Sequence, residues 1–453
     1  MKPIRDLELK PKWDIAENEL NKKYHNAKEI LEALKLLYTL FNGDSVIWLA
    51  NLYDHKTGGF YYSNSGRDND GFLPDLESTA QALSFIRGSG MVADFNRDVK
   101  TAMPEWFGKD IVAFAKGLQD PQNGYFYHPQ WGKEKTDKNL ARRGRDLFQA
   151  QRIFEIFRSA PTYDMPSGIC GDGITADGRS VNPHIGTIST NCGATESKAE
   201  PPVADNLKSK EKFLNYLSEL DINKDPYYYG NLLESQSSQI VARDKTLELQ
   251  GADYRLCDIL EEWLTSHQNT DTGSWRLDNI VNYDAINGIL KITGTYTRIN
   301  KKVPFAEKAL ASAIEATLLN DDIRHVCDVL NPWYSITLLL NNVKNYSTDS
   351  LDIEPLMKRL ADKAPEAILA TKKKLEKLLR NDGSFGYMPE RTAPCSQWMP
   401  VALDNTKEGD VNATYIANLC IADHIFCNLG IQLIPVCTPS DREVFISILE
   451  SKR

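Results

Sequence analysis

Apolar residues recur along most of the chain at the three-and-four spacing of an α-helix, and the helical stretches fall in pairs separated by loops of variable length. The pattern predicts six pairs: 25–41 with 76–89, 105–118 with 146–158, 208–220 with 230–243, 250–266 with 283–293, 304–319 with 328–342, and 357–380 with 410–428. The first helix of a pair tends to be amphipathic with one charged face, as in AKEILEALKLLYTLF and KRLADKAPEAILATKKKLEKLL, which suits an outer position. The second is richer in small, apolar and uncharged polar residues, which suits an inner one. No such hairpin buries its apolar face alone, so six of them predict a single all-α domain over 1–453, an (α/α)6 toroid with long loops at one mouth. Strand signals are sparse and confine β-structure to short pieces in the loops. Between 159 and 207 the density of Gly and Pro forbids long helices, and the apolar residues there, with Cys170 and Cys192, predict a packed lid-like insertion.

A glycine-aromatic turn marks four of the pairs: Gly58 with Phe60, Gly124 with Phe126, Gly273 with Trp275, and Gly383 with Phe385. The first residues of these four units are Tyr53, Gln119, Gln268 and Leu378. Each turn is followed by an aspartate expected to open the second helix as an N-cap: Asp75, Asp146, Asp284 and Asp410. The Gln-x4-Gly-x-Trp string at Gln268, Gly273 and Trp275, repeated with Phe at Gln119, Gly124 and Phe126, resembles the structural repeat of terpenoid cyclases and protein prenyltransferases. That resemblance implies an α/α toroid over most of the chain, and in those families the repeat ties helices together, so it bears on fold and not on chemistry. The Asp-x-Asp-Asp acid of squalene-type cyclases is approached only by Arg67-Asp68-Asn69-Asp70, where Gly71 replaces the last aspartate, and no DDxxD string occurs. His325-Val326-Cys327-Asp328, with His424, superficially offers the zinc-ligand types of the prenyltransferases, but i, i+2 and i+3 converge poorly from one helix; no metal and no cofactor is expected.

Composition narrows the function classes. The 453 residues carry 53 Lys+Arg against 62 Asp+Glu, a net charge of -9, and the basic runs at 142–145 and 372–374 are too short for a phosphate-tracking groove, which sets nucleic acid aside. No stretch approaches the roughly 20 apolar residues of a membrane helix, and the charged opening residues lack the apolar block of a signal peptide, so a cytoplasmic location is expected. Eight cysteines without a CxxC pair are expected as reduced, mostly buried thiols.

If the inner helices start at one end, the loops before them share one mouth. Those loops hold Tyr61, Tyr62, Tyr127, His128, Trp131, Trp275, Trp333 and Trp398, flat rings with polar rims of the kind that sugar rings or a carbocation require. They also hold carboxylates, among which Asp70 and Asp410 are the first candidates for reacting groups, with Asp68 and Glu77 beside them. Glycoside hydrolysis needs one protonated and one ionised carboxyl. Arg67 and Arg145, with Arg142 and Arg143, offer forks for a uronic acid or sulfate; a Tyr127 or His128 base beside them would instead support elimination. The expectation is a carbohydrate-active enzyme, a glycoside hydrolase acting on oligosaccharides. The alternatives are a lyase of uronic-acid glycans, a terpenoid-cyclase or prenyltransferase-like enzyme, and a non-catalytic toroid that binds a glycan or a protein.

Overall fold

The computed structural model describes residues 2–185, 203–319, 322–346 and 353–453. Among them the protein is all-α, and the only strands are β1 (Cys395–Ser396) and β2 (Met399–Pro400), an antiparallel pair. A helix stands at every predicted place. After α1 (Lys2–Lys23), the first pair is α2 (Ala27–Tyr38) and α5 (Leu76–Gly88), with α3 (Asp44–Asn51) and α4 (Asn64–Asp68) between them. Next come α6 (Val99–Ala102), α7 (Glu105–Gly117), α8 (Lys133–Lys138) and α9 (Leu140–Phe157). Then follow α10 (Lys210–Ser218) with α11 (Pro226–Leu249), α12 (Leu256–Ser266) with α13 (Tyr283–Arg298), and α14 (Ala306–Leu318) with α15 (Val326–Tyr346). The last pair is α16 (Ile353–Leu378) with α17 (Val411–Tyr415), which continues through a π-helical turn at Ile416–Cys420 into α18 (Ile421–Asn428). The unpredicted α19 (Pro439–Ser451) ends the fold.

Two of the four aspartates are caps. The Asp75 carboxylate accepts from the Glu77 and Ser78 N–H groups at 2.9 and 3.0 Å, and Asp410 accepts from Ala413 N–H at 2.7 Å, which satisfies donors the first helical turn leaves open. Asp146 and Asp284 are not caps: Asn139 and Asn282 take that role, accepting from Arg142 and Ala285 N–H at 3.0 and 2.9 Å. The second helix of the second pair starts six residues earlier than the aspartate, because Leu140, Ala141 and the arginines after it are good helix formers despite their charge.

The glycine-aromatic turns dock one pair on the next chain segment. A Cβ built on Gly58 (φ +83) would stand 2.4 Å from the Asp110 carbonyl in α7, and one on Gly273 (φ +70) would stand 2.2 Å from Ala309 N in α14. Gly124 approaches Asp164 in the same way, and Gly383 approaches Ser45 in α3. Only glycine tolerates both the left-handed backbone and the approach. The glutamines close the turns: Gln268 and Gln119 donate to the Gly273 and Gly124 carbonyls at 2.9 and 3.3 Å.

The second helices pack in the order α9, α5, α17–α18, α15, α13, α11, and α16 packs on both α14 and α2. Chain ends meet: Tyr24 and Tyr38 donate to the Leu429 and Ile434 carbonyls at 2.8 and 2.5 Å, and α1 packs on α19. One apolar cluster runs from Leu9 to Leu449, with α5 and α13 buried nearly all round.

Of the 159–207 segment, residues 186–202 lie outside the described residues. The part up to 185 is tied to the second pair: Gln119 exchanges hydrogen bonds with Tyr163 at 2.8 and 2.9 Å, Lys116 pairs with Asp172 at 2.8 Å, and Met165 is buried. Cys170 is disulfide-bonded, which corrects the expectation of reduced thiols; Cys192 lies outside the described residues. Burial is also less than expected, since Cys395 and Cys427 are exposed while Cys257 and Cys437 are buried. No helix among the described residues is long and apolar enough to cross a membrane.

Candidate functional site

Glu77 lies in the first turn of α5, two residues after the Asp75 cap, and its carboxylate is almost fully buried. Four side chains converge on it. Arg145 Nη1 and Gln81 Nε2 donate to Oε1 at 2.9 and 3.5 Å; Arg142 Nη1 and Ser396 Oγ donate to Oε2 at 2.8 and 2.6 Å. The arginines come from the first turns of α9, Gln81 from the next turn of α5, and Ser396 from β1. Gln81 also donates to Asn412 at 3.0 Å, which extends the network to α17.

Arg142 is fully buried and bridges two carboxylates, since its Nη2 donates to Asp146 Oδ1 while Nη1 holds Glu77. Trp131 lies 5.0 Å from the guanidinium carbon, and His128 stacks on Trp131 at 4.1 Å. Such a cation keeps its charge, for two carboxylates and a ring face replace the water it has lost. Asp146 is 1 % exposed, and its Oδ2 has no partner. Burial pushes its pKa up to about 6, against the opposing pull of Arg142. Two carboxylates on neighbouring helices therefore differ in kind: Glu77 is satisfied by four donors, and Asp146 keeps a proton-accepting oxygen free.

The N-terminal ends of α13 and α15 are tied to each other and to the loop after α16. Val326 N–H donates to the Tyr387 carbonyl at 2.9 Å, Arg324 Nη1 reaches Asp284 at 2.9 Å, and Asn331 reaches Asn287 at 2.7 Å. Tyr227, 46 % exposed at the start of α11, lies near Cys327 and Arg145, and partial burial of its phenol raises its pKa. Trp398, at the β1–β2 turn, is 83 % exposed, and Arg145 keeps 41 % of its side chain in solvent. These three are the open groups beside the buried network.

Several expected site residues stand elsewhere. Asp70 and Asp68 are exposed; Asp68 accepts from Arg67 Nε at 2.6 Å, and Arg67 also faces the Asn51 carbonyl, away from Glu77. Their loop is polar and glycine-bounded, so solvation suffices for its charges. Asp410 is fully buried and accepts from Ala413 N–H, Tyr387 N–H, Thr392 Oγ1 and Tyr62 OH; burial raises its pKa to about 6, and no oxygen is left for a substrate. Tyr62 belongs to a small buried cluster with Trp131 and Met399, and Tyr61 packs half-buried against the main core. Trp275 is buried and donates to the Leu264 carbonyl at 2.8 Å, which ties the end of α12; Trp333 is buried and donates to Thr371 of α16 at 2.8 Å. Both are core tryptophans, because their indole N–H finds a protein acceptor inside. Tyr127 donates to Asp137 at 2.7 Å, and burial together with that carboxylate pushes its pKa up to about 12. His128 is buried, with Nε2 against the Pro74 carbonyl at 2.9 Å, and burial lowers its pKa.

Of the expected set, Glu77 and Arg145 come together, with Trp131 and His128 beneath them as support. Asp146, Gln81 and Ser396 were missed. Gln81 and Glu77 are legible as polar residues four apart on a helix buried all round. Ser396 is not, because its hairpin turns through Gln397 and Trp398 at φ +47 and +66, which ordinary turn residues would not announce. Among the described residues no cluster of His, Cys, Asp and Glu is placed to hold a metal; Asp328 is taken by Arg324, and His424 bonds Thr337 on another face of α15. No family model, curated protein or solved structure matches the chain.

Proposed function

We propose that the protein is a carbohydrate-active enzyme, a glycoside hydrolase on an (α/α)6 toroid, with Asp146 as general acid and Glu77 as the ionised carboxylate. The observation that carries the reading is the pair of buried carboxylates bridged by Arg142, one fully satisfied and the other with a free oxygen and a pKa near neutrality. Acid–base work at neutral pH requires that division between two carboxyl groups. The Asp146 proton passes to the leaving glycosidic oxygen and water adds at the anomeric carbon; that water takes the place of Gln81, whose 3.5 Å contact is the weakest of the four on Glu77, and gives its proton to the Oε1 so released. Arg145, Tyr227 and Trp398 supply a fork and two flat faces for sugar rings at the opening. The toroid is supported by the packing order of the second helices and by the joining of the first and last pairs.

Elimination has less support, because its candidate bases are committed: Tyr127 to Asp137, and His128 to a backbone carbonyl in an apolar stack. The test is incubation with a panel of neutral and uronic-acid oligosaccharides, following reducing ends together with the absorbance of an unsaturated uronide. The expected outcome is new reducing ends without that absorbance, and a fall of at least about 10²-fold in Glu77→Gln and in Asp146→Asn. Both signals together establish a lyase. Silence across the panel removes the hydrolase reading in favour of a binding or isoprenoid role.

A further inference from the structure

At the other ends of α5 and α9, about ten residues or roughly 15 Å along the helix from Glu77, lies a cavity of about 590 Å³. Its wall carries four arginines from three segments: Arg87 at the end of α5, Arg97 in the following loop, and Arg152 and Arg158 at the end of α9. Asp98 and Glu155 are the carboxylates in the same wall, which leaves an excess of two positive charges. Asp98 is spent on Arg158 at 2.5 Å, and Glu155 accepts from Gln151 at 2.9 Å. Arg152 is held by neutral groups, Ser84 at 2.6 Å and Gln149 at 3.3 Å, and has no carboxylate partner among the described residues. Arg87 has no ion pair among the described residues either, and Arg97 makes none but lies close enough to Asp423, outside the wall, to favour that carboxylate's charged form.

The backbone singles out the same place. Asn96, Arg97 and Arg158, three of the non-glycine residues with positive φ, all line this cavity, at +51, +62 and +47. Glycine or asparagine is the ordinary occupant of that conformation. Retaining arginine at two such positions argues that the side chain is needed there. The π-helical turn at Ile416–Cys420 adds Leu419 to the wall, and Tyr415 stands immediately before it. Turns of this kind inside α-helices recur at functional sites.

We propose that this cavity binds a small organic molecule through a phosphate or sulfate ester. Guanidinium groups arriving from three segments suit a tetrahedral oxyanion, which accepts from several directions, better than a planar carboxylate with two oxygens. The excess of two charges matches a phosphate monoester near neutral pH. The volume exceeds the anion alone, and Val99, Ile156 and Leu419 supply apolar contacts for a body the size of a sugar. The site is separate from Glu77 and does not depend on the reaction assigned to it.

The experiment is calorimetric titration of the full chain with inorganic phosphate, inorganic sulfate, glucose 6-phosphate and glucuronate. Saturable binding of the phosphate ester is expected, tighter than that of either inorganic ion or of glucuronate. Arg97→Gly is expected to weaken it by about tenfold or more while the melting temperature without ligand stays the same or rises, since glycine relaxes a φ of +62. Arg87→Ala, at an exposed position, is expected to weaken it likewise. Absence of saturation with all four at about 10 mM, equal affinity for glucuronate, or affinity unchanged in both variants overturns the proposal.

Discussion

Asp146 and Asp410 are both buried carboxyls with pKa raised to about 6, yet their surroundings give them different work. Asp146 has an unpartnered oxygen, so as a general acid it must be protonated to act. The expected kcat/KM therefore falls about tenfold per pH unit above about 6, and a pH profile of Asp146→Asn is expected to lose that limb along with most of the rate. Asp410 has four donors and caps α17, so Asp410→Asn is expected to leave the turnover of the folded protein within a few-fold of normal. Its effect belongs to stability. A carboxyl raised in the folded state favours folding fully below its unfolded value near 4, and that advantage is lost as pH rises through about 6. Wild type minus Asp410→Asn, followed by denaturant unfolding, is thus expected to fall by about 2–3 kcal/mol between pH 4 and 6. An unchanged difference across that range would mean that the carboxyl titrates alike in the folded and unfolded chain, and the burial argument fails.

Helix positions were the most legible part of the sequence, because periodic apolar residues report which face is buried whatever that face packs on. The pairs α12–α13 and α14–α15 fall within a few residues of their expected ranges. Less legible were α1, whose charged residues mask its buried Leu9, Ala16 and Leu20, and the division of labour among aspartates and aromatics. Asp75 and Asp410 do cap helices, whereas Asp146 sits inside α9 because the cap is Asn139, a residue no less suited to it. Trp275 and Trp333 read as exposed rings only so long as their acceptors, distant in sequence or on another helix, are unseen. The repeated turn is where sequence and packing agree most closely, and it can be tested at a pair of glycines. Gly273 and Gly251 have nearly equal φ, +70 and +71, but a Cβ on Gly273 strikes Ala309 while one on Gly251 meets open space. Gly251→Ala is expected to cost about 1 kcal/mol from the backbone alone, and Gly273→Ala about 2 kcal/mol or more beyond that. Equal costs in thermal or denaturant unfolding would show that the turn does not hold α14 in place.

At the scale of the whole molecule the question is whether the six pairs close. A chain of hairpins that each pack only on the next makes an open superhelix, in which first and last pairs never meet. Here α2 packs on α16, Tyr24 just before the first pair and Tyr38 within it reach carbonyls beyond α18, Asn26 donates to the Ala361 carbonyl at 2.8 Å, and Gly383 docks on α3. These contacts join residues more than 300 apart in sequence and have no counterpart in a solenoid. Around the second helices, packing is extensive at every step except between α9 and α11, where the insertion after α9 enters and where Arg145 lies near the Tyr227 phenol. Sequence could not report this, since periodicity describes each helix and not the angle between pairs. Closure bears on the proposed chemistry as well, because Tyr227 comes to stand beside Arg145 and the buried carboxylate pair only if α11 comes round to α9. A closed monomer of 453 residues is expected to have a radius of gyration of about 22 Å in solution X-ray scattering. A value well above that, with an elongated pair-distance distribution from a monodisperse monomer, would mean an open superhelix. The carboxylate pair would then lie on a concave surface without a facing wall, and the hydrolase reading would lose the enclosure on which proton transfer away from bulk water depends.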